Sequence, residues 1–272
     1  MAVAQEELYS NKIFLNAALP LIKVIANDVP SLKKKFEKAH AVIQISALYP
    51  DCEEGKVGMH FVVNSGEWLV HPCLDTTPGH SEIQFKTIEA MNLFFKGDIP
   101  GAIKKGGVPK IKPGKAPGVF VSFVMALLKM ANVLGATEPP EDEETKQLMV
   151  KCMFYLLTSG ISQLNKMGHP EIHDWTSKSP DRVYALAVND HPEVSAYIRI
   201  KAGKSRAGRG EYKRAMPFFT LRFDSFDSAL GILLGTLDML EATKSGKLIM
   251  DGGPEFGAQF GGFLLTIGAL AK

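Results

Sequence analysis

The stretch FDSFDSALGILLGTLDMLEATKSGKLIMDGGPEFG, residues 223–257, decides the fold. Its first half has apolar residues at intervals of three and four, which is the spacing of one helix face. The stripe comprises Phe226, Ala229, Leu230, Leu233, Leu234, Leu237 and Leu240. The sequence therefore predicts a helix with one continuous apolar side.

The ends of this helix are also predicted by residue type. Asp224 or Ser225 can cap its start with a side-chain oxygen. Gly235 is expected to end or kink it, because glycine adopts the left-handed backbone that a helix C-terminus needs. A second short helix then runs to Gly246, which turns the chain into the apolar strand 247–250.

The sequence KSGKL within this stretch looks at first like the end of a phosphate-binding loop. Such a loop needs a glycine five residues before its Gly-Lys pair and a hydroxyl residue after it. Here the two positions are Glu241 and Leu248. A carboxylate would face the anion, so the sequence excludes this interpretation.

A related pattern occurs earlier in the chain. When 82–114 is set beside 220–253, Phe85 falls on Phe223 and Gly97 on Gly235 at one offset. We interpret this as an internal repeat, with chance similarity of two amphipathic segments as the alternative. A proline-rich, acidic linker between the copies, centred near Pro140, places one domain at 1–138 and the other at 139–272.

Each copy is predicted to contain an opening helix, strands, a helix, a strand and a helix. The opening helices are expected from Ile13 to His40 and from Thr145 to Met167. Runs rich in β-branched and aromatic residues then predict consecutive antiparallel strands. These runs are 41–50, 56–63 and 66–73 in the first copy, and 182–190, 193–203 and 215–223 in the second.

Composition limits the function classes. The apolar fraction is 46% and the charged fraction 22%, which are typical of a globular chain. A net charge of +2 gives no reason to expect a nucleic-acid partner. Three widely spaced cysteines favour a reducing compartment, and no secretory signal pattern opens the sequence. We expect a cytoplasmic protein without a cofactor.

The most apolar segment is 117–136, which contains Lys129. Its uninterrupted apolar run is too short to span a bilayer. We expect a buried or amphipathic helix here, and we expect the shorter apolar segment 260–272 to behave in the same way.

Four candidate metal or catalytic residues lie close together in the sequence: His60, His71, Cys73 and His80. A strand would present His71 and Cys73 on the same face. No known zinc-binding or protease spacing accompanies them, and the second copy has nothing comparable. We favour ordinary hairpin side chains over a metal site, and we list no metal ligand.

A basic segment runs from Lys201 to Arg214 and holds six basic residues against Glu211. One interpretation is a docking loop for an anionic membrane surface or an acidic partner. The other is a solvated hairpin loop whose charges serve solubility. The sequence leaves both open.

The pattern of 223–257, and more loosely that of 85–114, resembles the lipid-binding domain of the sterol-carrier-protein-2 family. The resemblance implies an α+β fold of two tandem units, each a mostly antiparallel five-stranded sheet covered by helices. It also implies an internal apolar tunnel for a sterol, a fatty acyl chain or another lipid. The candidate lining comprises Met91, Phe94, Phe95, Ile103, Phe120, Phe123, Phe226, Leu230, Leu233, Leu234, Leu237, Phe256, Phe260 and Phe263.

Two functions follow as hypotheses. The first is non-enzymatic binding or transfer of a hydrophobic ligand. The alternative is an enzyme or enzyme accessory subunit that holds an acyl or aromatic substrate, with chemistry supplied by His71, Cys73 or a partner protein. An ordinary packed core or an oligomer interface would also account for the apolar helices, so oligomeric state stays open.

Overall fold

The computed structural model describes residues 3–271. They form two compact units, the first made of the residues up to Gly135 with Ala271, and the second of Ala136–Leu270. Each unit contains helices and one five-stranded sheet. Four strand pairings hold each sheet together, and three of the four are antiparallel. The predicted α+β fold class with two mostly antiparallel sheets is confirmed.

The first unit opens with helices. Helix α1, Gln5–Ile13, continues through a π-helical segment, Phe14–Ala18, and a 3-10 turn, Leu19–Leu21. It leads into α2, Ile22–Asp28, which is followed by α3, Pro30–Phe36.

The single helix predicted from Ile13 to His40 is therefore wrong at both ends and in its middle. The helical region starts at Gln5 and ends at Phe36. It breaks at Val29, whose φ of −90° and ψ of 110° are extended. The cause is Pro30, because a proline ring excludes helical backbone from the residue before it.

The first sheet has the strand order β3-β2-β1-β4-β5. Strand β1 is central and pairs antiparallel with β2 and parallel with β4. The strands are β1 His40–Leu48, β2 Lys56–Asn64, β3 Glu67–His71, β4 Ser81–Phe85 and β5 Lys110–Lys112.

Three further helices complete this unit: α4 Ile88–Phe95, α5 Ile99–Gly106 and α6 Pro117–Leu134. The Thr87 hydroxyl accepts the Ala90 N–H at 3.1 Å and caps α4. Asp98 Oδ1 accepts the Gly101 N–H at 2.9 Å and caps α5. Threonine and aspartate are both preferred residue types at this position of a helix.

Helix α6 is amphipathic in the folded unit. Its buried residues include Phe120 and Phe123, whereas Val121, Met125 and Leu128 on the other side are exposed. Among the described helices, α6 is the one unbroken helix that is long and apolar enough to cross a membrane, judged by length and composition alone. The segments Gln5–Asp28 and Pro30–Phe36 meet the same length and hydropathy criteria only when the bent pair is counted as one span.

The second unit begins with α7, Glu143–Lys166, which confirms the helix predicted from Thr145 to Met167. Helix α8, Pro170–Lys178, follows and was not predicted. The second sheet has the order β10-β9-β6-β7-β8. Its strands are β6 Arg182–Val188, β7 Ala196–Lys201, β8 Lys204–Arg209, β9 Phe219–Phe223 and β10 Leu248–Asp251.

Two strand predictions for this unit are wrong. Residues 204–209 of the basic segment form the edge strand β8, which pairs with β7, so part of the predicted loop is sheet. Strand β9, expected to be antiparallel to its predecessors, lies parallel to β6. Both errors concern pairing between distant segments, which local residue patterns do not encode.

The decisive stretch folds as its pattern indicates. Helix α9, Phe226–Leu233, is capped by Ser225, whose hydroxyl accepts the Ser228 N–H at 3.3 Å. Gly235 has a φ of +76° and ends this region. Helices α10, Met239–Lys244, and α11, Pro254–Ala271, flank β10.

The two sheets share one strand order and one pattern of parallel and antiparallel pairs. Their hairpins also turn alike. Ser65 and Gly66 join β2 to β3 with φ of +50° and +83°, and Ala202 and Gly203 join β7 to β8 with +45° and +80°. Two consecutive positive φ values are the mark of a type I′ turn.

We expect Gly235→Ala to destabilise the second unit by about 1 kcal/mol, because a Cβ disfavours positive φ. The matched control is Gly262→Ala, in the body of α11, where a Cβ meets nothing within 4 Å. This control should stabilise the unit by up to about 1 kcal/mol through helix propensity. Urea unfolding followed by circular dichroism measures the free energy of unfolding of both variants. Changes of the same sign would contradict the positive φ assigned to Gly235.

Candidate functional site

A cleft of about 730 Å³ lies between α8 and α11 in the second unit. Residues from α8, the start of β6 and the middle of α11 form its walls. They are Glu171, Asp174, Trp175, Lys178, Ser179, Arg182, Ala258, Gln259, Gly262 and Phe263. A volume of this size is typical of small-molecule sites.

The apolar part of the cleft belongs to a larger aromatic cluster. The ring centroids of Trp175 and Phe263 are 4.8 Å apart, and those of Trp175 and Tyr184 are 5.1 Å apart. Tyr184 continues the cluster to Phe260 at 5.4 Å. Rings at these distances and tilted angles contribute dispersion and quadrupole attraction. Trp175 and Phe263 are thus packed within the cluster, and the 8% and 7% of their surfaces that stay exposed border the cleft.

The positively charged side chain of Arg182 lies next to this aromatic cluster. Its guanidinium carbon lies 3.9 Å from the ring centroid of Phe218 and 5.0 Å from that of Phe256. Both contacts are in the range of cation–π attraction. Because the rings fix the guanidinium, its N–H donors are a preorganised feature of the cleft wall.

The remaining charges lie on α8. Lys178 Nζ donates to Asp174 Oδ2 at 2.7 Å, one turn away on the same exposed helix face. Glu171 adds a second carboxylate to the wall. The cleft therefore combines an aromatic wall with charges of both signs.

The Tyr184 hydroxyl is buried, and no described group forms a hydrogen bond with it. Burial raises the pKa of Tyr184, while Arg182 and the Trp175 side chain act in the opposite direction. A buried hydroxyl without a partner is unfavourable by about 1–3 kcal/mol. The phenol stays neutral at ordinary pH and is an unused donor beside two cleft residues.

The predicted lining residues of the second unit are divided among several places. Phe263 lines the cleft, Phe260 is buried against Tyr184, and Phe256 packs on Phe218 with a centroid distance of 4.8 Å. Phe226 packs on His191 at 4.3 Å. The rest lie along or just after α9, Leu230 buried and the others half-buried: Leu230, Leu233, Leu234 and Leu237.

In the first unit the predicted lining residues pack on neighbouring rings. Phe94 lies 5.2 Å from Phe85, and Phe95 lies 5.7 Å from Phe14, between ring centroids. Phe123 lies 5.4 Å from Phe61. Met91 and Phe120 are buried, whereas Ile103 is exposed. Contacts among side chains account for most of this set.

Sequence reasoning missed Trp175, Arg182 and Tyr184. The signal for α8 was present, since Pro170 suits the first turn of a helix and Ile172 and Trp175 are three residues apart. The packing of α11 against α8 is not indicated by the residue pattern of either segment. Arg182 and Tyr184 were placed on a strand but not next to an aromatic cluster.

A second group of polar side chains lies on the first sheet, on the face opposite its apolar core. Strand register places Lys112, Glu82, Gln44, His60 and His71 in one row across the five strands. Gln44, His60 and Glu82 are nevertheless buried.

The loop 72–80 accounts for this burial. The Asp75 N–H donates to Gln44 Oε1 at 2.6 Å, and the His60 Nδ1–H donates to the Cys73 carbonyl at 2.8 Å. A Cβ at Gly58 would lie 2.7 Å from Leu74 Cδ2, so glycine permits the loop to lie close to the strand. Loop 72–80 therefore covers the middle of the polar row, whereas Lys112 at its end stays exposed.

Glu82 is the centre of the covered group. Its Oε1 accepts from Gln44 Nε2 at 2.7 Å, Ser46 Oγ at 2.8 Å and Lys56 Nζ at 3.1 Å. Burial alone raises the pKa of Glu82, but these donors outweigh burial and lower the pKa to about 2. The carboxylate is ionised and occupied by donors.

The histidines in this group have defined partners. The His80 Nδ1–H donates to the Thr77 carbonyl at 2.9 Å, and His80 Nε2 lies 3.7 Å from Glu82 Oε2. The rings of His60 and His71 stack at 4.6 Å. Within residues 3–271 no group of three or more His, Cys, Asp or Glu residues has the arrangement of a metal site.

The basic segment 201–214 is partly engaged within its own unit. Lys201 Nζ lies 3.4 Å from Asp181 Oδ2, and the guanidinium of Arg209 lies 5.1 Å from the ring centroid of Tyr155. Lys204 and Arg206 are exposed on the edge strand β8. The free charge of the segment is therefore smaller than its sequence indicates.

Comparison with known proteins gives structural likeness only. No protein-family model and no curated protein matches the chain. The solved structure of a UbiJ-SCP2 ubiquinone synthesis protein is similar at 19% identity, with a TM-score of 0.28, over 43% of this chain and 96% of that one. A conserved protein of Thermus thermophilus, described as a sterol carrier protein candidate, is similar at 20% identity, with a TM-score of 0.28, over 43% and 88%.

A sec-alkyl sulfatase variant is similar at 13% identity, with a TM-score of 0.27, over 64% of this chain and 31% of that one. All of these scores are low. They assign neither a family nor an activity to the chain, so any function has to be argued from its own residues.

We expect the Glu82 network to make stability depend on pH. The folded pKa of about 2 lies below the ordinary value of 4.5, so the stabilisation is complete above pH 4.5 and is lost as pH falls towards 2. Glu82→Gln should remove on the order of 2 kcal/mol at neutral pH and flatten the acid loss. Urea titrations at several pH values measure this effect.

Glu241→Gln is the control, because Glu241 is exposed on α10 of the other unit. Its stability should follow the unaltered protein at every pH. An acid profile that Glu82→Gln leaves unchanged would show that other carboxylates cause the loss.

Proposed function

We propose that this protein binds hydrophobic, lipid-like molecules without catalysing a reaction on them, and that the cleft between α8 and α11 is one of its binding sites. The observation that carries the proposal is the Trp175–Phe263 wall of a cleft of about 730 Å³. Removing apolar ligand surface from water against these rings supplies about 25 cal/mol per Å².

The polar groups of the cleft favour an amphipathic ligand. Arg182 offers guanidinium donors held by Phe218 and Phe256, and Lys178 adds an ammonium group. We expect the carboxylate or other polar head group of the ligand to bind beside Arg182 and Lys178. Its apolar chain or ring system would then lie on Trp175 and Phe263. The combination of an apolar wall with few polar groups is typical of small-molecule pockets.

The sequence resemblance to sterol carriers supports a wider form of the proposal. In that form each unit holds a sterol, fatty acyl chain or other lipid in an internal tunnel, and the protein transfers it within the cytoplasm. In the first unit, Phe94, Phe95 and Phe123 pack on neighbouring rings. A tunnel there would open only if these side chains changed conformation. The segment 201–214 is a further proposed contact to an anionic surface, through Lys204 and Arg206.

The alternative is an enzyme or accessory subunit that uses the fold to hold an acyl or aromatic substrate. The polar row of the first unit supports this alternative, since the half-buried His71 stacks on the buried His60 at the end of that row. Cys73, the other proposed reactive residue, is exposed.

We expect the double variant His71→Ala, Cys73→Ala to bind acyl probes like the unaltered protein. Hydrolysis of a p-nitrophenyl acyl ester, measured on both proteins, separates the two functions. Loss of hydrolysis with intact probe binding would support the enzyme and contradict the carrier proposal.

The cleft itself is tested by Gly262→Leu. Gly262 lines the cleft, and a Cβ there meets nothing within 4 Å, so the leucine fills space that a ligand would occupy. We expect the dissociation constant of a fluorescent fatty acid probe to rise at least about tenfold, equivalent to roughly 1.4 kcal/mol. Fluorescence titration measures this change.

Gly268→Leu is the matched control, because Gly268 lies on the same helix, also meets nothing within 4 Å and is outside the cleft wall. It should bind the probe like the unaltered protein. If both variants bind the probe equally well and their thermal unfolding is unchanged, the α8–α11 cleft is not the binding site.

A further inference from the structure

The residues 96–115 of the first unit, which include α5 and β5, form a strongly basic surface that we call the lysine edge. It holds six lysines against one acidic residue, Asp98. All six are exposed: Lys96, Lys104, Lys105, Lys110, Lys112 and Lys115. The lysine edge lies at the β5 margin of the first sheet.

These charges are not used within the described structure. Asp98 Oδ1 caps α5 by accepting the Gly101 N–H. Across residues 3–271, no carboxylate lies within ion-pair distance of any of the six lysines. The positive charge of the lysine edge is therefore available to an external partner.

Large apolar side chains protrude from the same segment. Ile99 and Ile103 are one helical turn apart on α5, with 41% and 47% of their surfaces exposed. Val108 is 69% exposed and Ile111 is 58% exposed. In β5, Ile111 alternates with Lys110 and Lys112, so its side chain leaves the sheet on the face opposite to theirs. Clustered exposed apolar residues among lysines mark an interaction surface.

The second unit provides an internal comparison. Its α10 and β10 occupy the places of α5 and β5 in the same topology. The corresponding residues 236–254 contain two lysines and three acidic residues, a net charge of 2 − 3 = −1, against 6 − 1 = +5 for the lysine edge. Asp238 caps α10 as Asp98 caps α5. The topology at this place does not require lysines, so their presence calls for another cause.

We propose that the lysine edge docks on an anionic lipid bilayer. Lysines near such a surface are attracted by the lipid charge, each by about a fivefold gain in partitioning. Ile99, Ile103 and Val108 would enter the boundary between head groups and acyl chains, which accepts apolar side chains. A bilayer satisfies the charges and the apolar side chains together, whereas a purely acidic protein face satisfies only the charges.

The docking surface is distinct from the α8–α11 cleft and from segment 201–214, both of which belong to the second unit. A carrier that loses ligand binding through Gly262→Leu should still dock. The two proposals can therefore fail separately.

The test is co-sedimentation of the full chain with phosphatidylcholine vesicles, with and without phosphatidylserine. We expect binding only when phosphatidylserine is present, and weaker binding as salt is raised. The triple variant Lys104→Gln, Lys105→Gln, Lys110→Gln should lower partitioning by about two orders of magnitude, from about fivefold for each lysine. Ile103→Gln should lower it at every salt concentration.

The matched control is Lys244→Gln, Lys247→Gln, at the end of α10 and just before β10, which removes two exposed lysines from the corresponding place in the second unit. It should bind vesicles like the unaltered protein. Circular dichroism checks folding, and all substituted side chains are exposed.

Three results would overturn the proposal. One is the absence of binding to phosphatidylserine vesicles at low salt. Another is loss of binding in the Lys244→Gln, Lys247→Gln control together with unchanged binding of the triple variant. The third is equal binding to polyglutamate and to vesicles with no effect of Ile103→Gln, which would indicate an acidic protein partner instead.

Discussion

Each unit depends on one parallel pairing, that of the central strand with the strand that returns to it after a hairpin. Strand β1 pairs in this way with β4, and β6 with β9. A tight turn cannot join parallel neighbours, so the chain must first complete the hairpin and then cross back over the sheet. The crossing segments are 72–80 in the first unit and 210–218 in the second. The path of each crossing segment determines whether the polar face of the sheet is covered or exposed to solvent.

The crossings have opposite chemical consequences. In the first unit, register puts Gln44 beside Glu82, and loop 72–80 covers both, so their hydrogen bonds replace water. In the second, the corresponding face carries exposed ion pairs, Arg199 with Asp181 and Arg222 with Asp251. One strand order thus supports a buried polar network in one unit and a solvated charged surface in the other.

Local features of the fold could be predicted from the sequence, because their causes lie within a few residues. The cap at Ser225 and the helix end at Gly235 are of this kind. The break at Val29 is also local, and the rule for residues before proline would have located it. Strand β8 was missed because lysine and arginine at an exposed edge resemble a loop in composition.

The candidate site was less predictable, because it depends on contacts between distant segments. Phe263 was expected in a binding site, but its partner Trp175 lies on a helix that was not foreseen. Periodicity separates the buried face of a helix from the exposed one. It does not separate a face that packs on another ring, as with Phe123 and Phe61, from one that borders a cleft.

The chain has two tryptophans, and the fold gives one to each unit. Trp68 is buried in the first core, 4.8 Å from Phe36 and 5.9 Å from Phe61 between ring centroids. Trp175 stands at the cleft wall of the second unit. Each unit therefore carries its own intrinsic fluorophore, and both are buried, Trp68 with 2% and Trp175 with 8% of its surface exposed. Emission spectra of single-tryptophan proteins would follow the unfolding of each half separately, within an otherwise intact chain.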